Sequence, residues 1–449
     1  MRKRLDKFLW RSYRWFSTFY YWRQRRFTPL GKLILGLMLI CALIGIDMSL
    51  ALSYQLFVVS LILILIAILN RRRLHIKFTV ERHLPKYATV DRPLTYQLTL
   101  GNLTRDSFER LFVLDVLRDP RPDFNYFYRV QEPQQVTNNI FDRFFRYPRW
   151  RWMVQQNTLA DIPLGVLPRL AAGQQVNVTI TLTPKRRGVL QFTRTELFQP
   201  DSLGIFNSSK AIECTQSMVI LPKQYHLPSL SFPGRRQHNL GGFCQANSVA
   251  DAEEFVSMRE YRPGDSIRRI HWKSWAKTNQ PIVKQYQEEY FSRYGLILDT
   301  FGDETRNDQF EEAVSLASSF IYSLSSEDSF IDLMFVTNKA YHYTTGRGVG
   351  QQASLLEVLA SVKQSDAADF NQLSMTINSN LGILSGAILI FIDWEQKRQQ
   401  LLQRLRYQQI PYRVFVIVSP QVPLTDSMVI DENVTILEAG NIQAGLAQA

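Results

Sequence analysis

The chain has 449 residues, of which 45% are hydrophobic and 20% are charged, so most of it can form packed cores and is not disordered. Lys and Arg exceed Asp and Glu by 52 to 40, a net charge of +12 that by itself suggests nucleic-acid binding. Three cysteines are too few for a disulfide framework or a Cys-ligated zinc site, and no P-loop or dinucleotide-binding glycine motif is present. At about 100–200 residues per domain, the length predicts about two to four units.

Two apolar runs lie near the start, residues 33–46 and 50–69. Each uninterrupted run is shorter than the ~20 residues that a spanning helix needs, but both reach spanning length with their flanking residues. We therefore predict a transmembrane helical hairpin over residues 29–70, with a single long helix or a re-entrant pair as alternatives. The long segment before the first run argues against a cleaved signal peptide.

The basic charge is concentrated around these runs. Residues 1–73 contain 13 Lys and Arg and 2 Asp, whereas the remaining residues contain 39 basic and 38 acidic side chains. The positive-inside rule then places both ends of the hairpin, and the body of the chain, in the cytoplasm. Residues 1–28 are also rich in aromatic side chains. We interpret them as an interfacial segment in the lipid headgroup layer rather than a platform for single-stranded nucleic acid, and we expect no nucleic acid partner.

Residues 71–235 have the pattern of a β-rich domain. Apolar and polar residues alternate with period two, as in 94–100 and 176–182, and Pro, Gly and Asn separate the runs. This pattern predicts half-buried antiparallel strands in a small sandwich-like domain. An insertion at about 119–158 has no clear period and is rich in Arg and aromatic residues. It is either a contact surface or a loop packed on its own sandwich.

Beyond about residue 290, short apolar strands alternate with amphipathic helices. Because the strands are apolar on both faces, residues 291–449 are predicted to form an α/β domain with a mainly parallel sheet covered by helices, of Rossmann type. Two predicted strands end in Asp299 and Asp393. Ligand sites of such sheets lie outside the carboxyl ends of the strands, which makes these carboxylates candidate ligands.

The segment between these domains, residues 236–290, contains a dense run of charged and aromatic side chains. A Pro-Gly pair predicts a turn, and Asp265 is positioned to cap a short helix that begins at Ser266. Trp272 and Trp275 are three residues apart, which places them on one side of a helix. The candidate binding residues of this segment are Arg259, Glu260, Tyr261, Pro263, Gly264, Asp265, Arg268, Ile270, His271, Trp272 and Lys273.

This run resembles the signature of the bacterial family known as domain of unknown function 58, whose pattern is REYxxGDxxRxIHWxxxA. Every fixed position is met from Arg259 to Ala276, and Lys277 stands where the family usually has Arg. Residues 282–286 resemble the family's extension. Upstream, residues 185–188 and 200–206 are similar to its RRG and DPFGLF segments, with Pro-Asp-Ser replacing Asp-Pro-Phe. The resemblance covers nearly the whole chain.

The resemblance implies a membrane-anchored multidomain protein with a transmembrane hairpin, a sandwich-like domain and a C-terminal von Willebrand A-like domain. It implies a non-enzymatic adaptor or accessory protein that acts with a MoxR-type AAA+ ATPase, and with a transglutaminase-like membrane protein as a further partner. The implied processes are protein maturation, complex assembly or envelope-related assembly. The expected location is the bacterial cytoplasmic membrane, with two spans in the bilayer and most of the chain in the cytoplasm.

One alternative is a divalent-cation-dependent module that binds a ligand or a protein. Von Willebrand A domains often hold a metal with an Asp-x-Ser-x-Ser loop, whose oxygen ligands suit Mg²⁺. Here the loop has Phe301 and Asp303 in place of the two serines. A degenerate Mg²⁺ site would consist of Asp299, Asp303 and Asp393; apart from this, we expect no cofactor.

A second alternative is a hydrolase that uses His271. Glu260 and Asp265 would complete an acid–base set with this histidine. No nucleophile stands at a recognisable spacing, since Ser266 and Ser274 lack an elbow motif. We favour a structural or partner-binding role, in which Arg259 or Arg268 pairs with one of the two carboxylates, and we expect no catalytic residue.

Overall fold

The computed structural model describes residues 2–44, 51–69, 76–130, 139–228, 238–239, 254–265, 267, 270–287, 290–302, 307–324, 329–337, 339–345, 349–365, 370–419 and 432–448. Two compact units account for the chain. The first unit consists of Met1–Lys223 with Leu359–Ser361, and the second consists of Gln224–Val358 and Val362–Ala449.

Three helices open the first unit: α1 (Arg2–Arg26), α2 (Pro29–Ile44) and α3 (Ala51–Leu69). Helices α2 and α3 are separate elements that contact each other. Helix α3 is long and apolar enough to cross a membrane, whereas α2 is apolar but has 16 residues. The predicted turn between them, residues 45–50, lies outside the described residues. The hairpin of two spans therefore stays a prediction.

The sandwich predicted from period-two alternation is present as two sheets that share one apolar core. The strands lie in the order β1, β3, β7, β5 in one sheet and β2, β9, β8, β4, β6 in the other, and all neighbours are antiparallel except β2 and β9. The bounds are β1 (Phe78–His83), β2 (Tyr87–Thr89), β3 (Leu94–Asn102), β4 (Phe112–Leu117), β5 (Ala160–Asp161), β6 (Gly165–Val166), β7 (Gln175–Pro184), β8 (Gly188–Pro200) and β9 (Asn207–Leu221).

A buried polar cluster joins the two sheets. The Arg82 guanidinium donates to both oxygens of Asp115, at 3.0 and 2.9 Å, and to the hydroxyl of Thr195 at 3.1 Å. The phenol of Tyr96 donates to Asp115 at 2.6 Å. Burial and the neighbouring Asp115 carboxylate raise the pKa of Tyr96. Because each charge has its partner within the core, the cluster holds the two sheets together and is not a candidate ligand-binding site.

The insertion at 119–158 contains three helices, α4 (Phe124–Arg129), α5 (Ile140–Phe145) and α6 (Tyr147–Asn157), with residues 131–138 outside the described part. These helices pack against α1. Trp10 and Tyr13 of α1 contact a small apolar cluster centred on Trp150. The insertion is thus a contact surface for the N-terminal helix.

A β-hairpin opens the described part of the second unit after residue 239. It pairs β11 (Glu254–Glu260) with β12 (Ile282–Gln287) antiparallel, and α7 (Trp272–Thr278) lies in its connection. The two-residue strand β10 (His238–Asn239) pairs instead with the large sheet.

The large sheet has the order β15, β14, β13, β16, β17, β18. Its strands are parallel except for the edge strand β15 and the short strand β10, which pairs antiparallel with β13. The mainly parallel sheet predicted from the sequence is therefore present. Its strands and helices are β13 (Tyr290–Leu298), α8 (Asn307–Leu324), β14 (Ser329–Val336), β15 (Ala340–Thr345), α9 (Val349–Ser361), α10 (Phe370–Asn380), β16 (Gly386–Phe391), α11 (Gln396–Tyr407), β17 (Tyr412–Val418), β18 (Val434–Glu438) and α12 (Ile442–Leu446).

Candidate functional site

The candidate binding segment forms the end of the β11–β12 hairpin. The backbone N–H of Tyr261 donates to Pro281 O at 2.9 Å, and that of His271 donates to Ile282 O at 2.8 Å. Ile270 is buried and bridges to Val283. These bonds extend the pairing beyond the strands, so the connection between them is held at its base.

An ion pair fixes the turn at the tip. Arg259 donates to both oxygens of Asp265 at 2.7 Å, and the backbone N–H of Arg262 donates to the same carboxylate at 2.8 Å. These bonds, the guanidinium first, lower the pKa of Asp265 to about 2. Gly264 has φ +108°, a region that favours glycine. Arg259 thus pairs with Asp265, one of the pairings that the sequence left open.

The chain turns again between Asp265 and α7. Ile267 lies in a 3-10 turn, closed by a bond from Ile270 N to Ile267 O at 3.2 Å. Ser266 and Arg268 lie outside the described residues, so the roles predicted for them stay predictions. The two tryptophans project from α7, whose N-cap residue is His271.

Large apolar side chains are exposed at this hairpin end, which we call the signature surface and define by Met258, Ile267 and Trp272. Trp272 is 60% exposed and stacks on Trp275, with ring centroids 5.3 Å apart and planes 20° apart. Glu260 and Lys273 are also exposed. Exposed apolar side chains held among charged ones are typical of a protein-binding surface.

His271 lies close to a serine hydroxyl. Its Nδ1 is 2.6 Å from Oγ of Ser274, which also contacts the sulfur of Met258 at 3.5 Å. An imidazole beside a hydroxyl is one part of an activated serine, whose base also needs an orienting group. Asp265 is engaged by Arg259 instead. His271 is therefore in contact with Ser274, whereas Asp265 is bonded to Arg259 and to the backbone of Arg262.

The carboxyl edge of the large sheet is the second candidate site. The strand order reverses between β13 and β16, and Asp299 and Asp393 follow these two strands. Asp299 is fully buried. Its carboxylate accepts bonds from Arg398 Nε at 2.7 Å and from the backbone N–H of Phe301 at 3.0 Å. Asp393 accepts a bond from its neighbour Trp394 N at 2.7 Å.

These contacts do not fit a divalent cation at Asp299. Arg398 is itself buried and packs its guanidinium over Phe370, 5.3 Å from the ring centroid. The protein's own guanidinium therefore already supplies a positive charge at the Asp299 carboxylate, which is what Mg²⁺ would supply. No group of three potential metal ligands occurs among the described residues, and Asp303 lies outside them. Sequence reasoning missed Arg398 because nothing in a helical Gln-Arg-rich run marks one arginine as buried.

The segment resembling DPFGLF contacts the N-terminal apolar helices. The Asp201 carboxylate accepts the N–H groups of Ile205 and Phe206 at 2.7 and 3.0 Å, and both apolar side chains are buried against Phe27 and α3. The N–H of Thr28 donates to Ile205 O at 3.2 Å. This turn therefore fixes the β8–β9 connection to the start of α2. The sequence analysis identified the motif at residues 200–206, but it did not predict that these residues contact the N-terminal helices.

Comparisons with known proteins agree with the signature. The family described as "Protein of unknown function DUF58" matches residues 257–381, which include the hairpin end and part of the large sheet. "Uncharacterized protein YeaD" of Bacillus subtilis is 23% identical over 185 residues, which cover 41% of this chain. The matched segment spans 44% of the length of that relative.

Similarities to solved structures are distant. The CARDB domain of a Pyrococcus furiosus protein in complex with di-metal ions is 13% identical, with a TM-score of 0.16, and covers 32% of this chain and 93% of that one. A β-glucosidase from Listeria innocua in complex with glucose is 10% identical, with a TM-score of 0.15, and covers 34% of this chain and 17% of that one.

Proposed function

We propose that the chain is a membrane-anchored, non-enzymatic adaptor that presents the signature surface to a protein partner. The bidentate pair between Arg259 and Asp265 carries this proposal. Both oxygens of the Asp265 carboxylate accept bonds from Arg259, and the pair holds an exposed turn in one conformation. A preorganised turn loses little conformational entropy on binding, which is the property that a docking epitope requires.

The partner is a MoxR-type AAA+ ATPase, and a transglutaminase-like membrane protein is a further one. The family resemblance supports this choice, and the segment matched by the family begins at residue 257, within β11. The α/β domain corresponds to the von Willebrand A-like part of the family. Helix α3, with α2, anchors the protein in the bacterial cytoplasmic membrane as two spans with the body in the cytoplasm.

Co-purification tests the adaptor role. The full chain is purified from membranes together with the MoxR-type ATPase of the same bacterium, in the presence of a non-hydrolysable ATP analogue. We expect recovery of the ATPase to fall by on the order of tenfold for Asp265→Ala combined with Arg268→Ala, about 1.4 kcal/mol of binding free energy. Tyr407→Ala, at an exposed position of α11, is the matched control.

A charge swap separates the shape of the turn from the identity of its residues. Asp265→Arg alone is expected to lose the ATPase, and Asp265→Arg with Arg259→Asp is expected to regain it in part, because the pair can form in reverse. Wild-type recovery by both the double alanine variant and Asp265→Arg would show that the ATPase binds elsewhere.

The contact between His271 and Ser274 supports a second candidate, a hydrolase. An activated serine reacts with a fluorophosphonate probe, and Ser274→Ala or His271→Ala would abolish this labelling. We expect no labelling of the wild-type chain at Ser274. Labelling that disappears in both variants would favour the hydrolase over the adaptor.

A further inference from the structure

We propose that α1 and the insertion helices α4–α6 form one rigid platform that docks on an anionic lipid headgroup layer. The proposal rests on the membrane anchoring proposed above and adds a surface to it. The first step concerns the face of α1 that packs on protein. Asp6, Leu9 and Tyr13, spaced as neighbours on one side of a helix, are buried or half-buried.

Polar bonds fix this packed face to the insertion. Trp10 Nε1 donates to Pro122 O at 3.0 Å, and the hydroxyl of Tyr13 donates to Phe145 O at 2.6 Å. Arg146 donates to the carboxylate of Asp6. Since three side chains of α1 bond to three separate points of the insertion, the helix cannot rotate about its axis without breaking them.

The opposite face of α1 is an aromatic stripe. Phe8, Trp15, Phe19 and Trp22 recur at intervals of seven, four and three residues, which places them on one side of the helix, and all are exposed. Trp15 stacks on Phe19, and Phe19 stacks on Trp22, with ring centroids 6.0 and 5.8 Å apart. An exposed aromatic surface of this length is unfavourable in water. It suits the boundary between lipid headgroups and acyl chains.

Charge identifies the surface that covers this stripe. Helix α1 contains nine Lys and Arg and one acidic residue. That residue, Asp6, is 1% exposed and is paired with Arg146. The outer face of α1 therefore presents positive charge alone, with Arg4 and Arg11 beside the stripe. Anionic lipid attracts such a basic segment, and each Lys or Arg near the surface adds to the attraction.

Continuity with the anchor supports lipid over other occupants. Helix α2 begins three residues after α1 ends, and Thr28 between them is tied to the β8–β9 turn. The stripe thus leads directly into the apolar helices. The insertion also exposes the aromatic side chains of Phe141 and Phe144. Aromatic rings at the ends of membrane helices favour the interface.

Site-specific fluorescence in nanodiscs tests the platform. The full chain, with Cys41, Cys214 and Cys244 replaced by serine, receives an environment-sensitive label at Phe19→Cys. Matched labels go on the exposed sandwich position Val189→Cys and on Leu61→Cys in α3. We expect nitroxide lipid with a shallow label to quench position 19, and aqueous iodide to quench position 189. Quenching at 19 is expected to fall when phosphatidylglycerol is replaced by phosphatidylcholine, and when Arg4→Gln and Arg11→Gln are added.

The label in α3 separates the two proposals. Loss of lipid quenching at position 61 would overturn the anchor itself. Lipid quenching at position 61 with iodide quenching at position 19 would leave the anchor intact and overturn the platform. Shielding of position 19 from iodide by a single-stranded oligonucleotide, but not by anionic lipid, would assign the stacked rings to nucleic acid and overturn the proposal as well.

Discussion

Arg398 Nε donates to Asp299 Oδ2 at 2.7 Å, and the two side chains are 5% and 0% exposed at the carboxyl edge of the large sheet. The second nitrogen of the guanidinium, Nη1, donates to Glu395 at 3.1 Å. Doubly wound sheets commonly bind a ligand at this edge, where the strand order reverses. In this chain a buried arginine of the protein itself pairs with a carboxylate at this edge.

Removal of Arg398 is expected to loosen this edge. Arg398→Ala leaves a buried carboxylate without its partner, a loss of about 3–5 kcal/mol. Hydrogen exchange of the β13 and β16 amides, measured by mass spectrometry on the full chain in nanodiscs, should accelerate by about two to four orders of magnitude. Lys397→Ala, at the exposed neighbouring position, should stay within about 0.5 kcal/mol of wild type.

Adding Mg²⁺ to the same hydrogen-exchange experiment tests the hypothesis that Asp299 and Asp393 can bind a divalent cation. If excess Mg²⁺ restores slow exchange in Arg398→Ala but leaves wild type unchanged, the aspartates can hold a metal once the arginine is gone. Equal exchange in Arg398→Ala and Lys397→Ala would contradict the stabilising role of the ion pair.

The turn held by Arg259 and Asp265 should lose stability in acid. The pKa of Asp265 is about 2, below its ordinary value of 3.8. A carboxylate with a lowered pKa stabilises the folded turn above pH 3.8, and this stabilisation is lost as the pH falls from there through about 2. Carbon NMR of labelled Asp carboxyls, with Asp265→Asn for assignment, should show this titration.

Arg259→Gln is the informative variant for this measurement, because it removes the main cause of the lowered pKa. The Asp265 titration should then move up toward its ordinary value. Arg262→Gln keeps its backbone N–H bond to the carboxylate and should move the titration less. An unchanged midpoint in Arg259→Gln would contradict the ion pair.

Two glycines of α2 provide a matched pair of substitutions. A Cβ on Gly31 would overlap Ile205 O, whereas a Cβ on Gly36 would meet nothing within 4 Å. Gly31→Ala should therefore displace α2 from the β8–β9 turn at a cost of about 1–3 kcal/mol. Protease cleavage near residues 201–206, followed in nanodiscs, should accelerate in Gly31→Ala and not in Gly36→Ala. Equal cleavage in both variants would show that the contact is not tight.

Arg146 should hold α1 to the insertion. Arg146→Ala leaves the buried Asp6 carboxylate unpaired, and we expect a loss of about 3 kcal/mol. Exchange of the amides around residues 6–13 of α1 is the measurement, and it should accelerate in Arg146→Ala. Arg143→Ala, at an exposed position of the adjacent helix, is the control. Slow exchange in both variants would mean that the apolar contacts of Trp10 and Tyr13 hold α1 to the insertion without the Asp6–Arg146 ion pair.

Much of the fold was predictable because periodicity reports burial. Residues 412–418 form β17, which is one of the short apolar strands predicted beyond about residue 290, and the alternating run at 94–100 lies within β3. Strand β15 was not predicted. It is an edge strand whose polar residues leave little periodic signal.

Partners in space were harder to predict than elements. The Pro-Gly turn follows from local chemistry, and the choice of Arg259 for Asp265 depended on the hairpin register that brings them together. Arg398 is 99 residues from Asp299, and Arg146 is 140 residues from Asp6. No local rule relates side chains so far apart, so these pairs required the tertiary structure.

The position of β13 limits how the chain can be shortened. The family match ends at residue 381, yet β13 is paired on one side with β14 and on the other with β16, which begins at Gly386. A fragment cut at that limit would leave an apolar central strand as a bare edge and remove Arg398 from the Asp299 carboxylate. Such an edge templates aggregation. In this chain the segment matched by the family model is thus shorter than the sheet to which its central strand belongs.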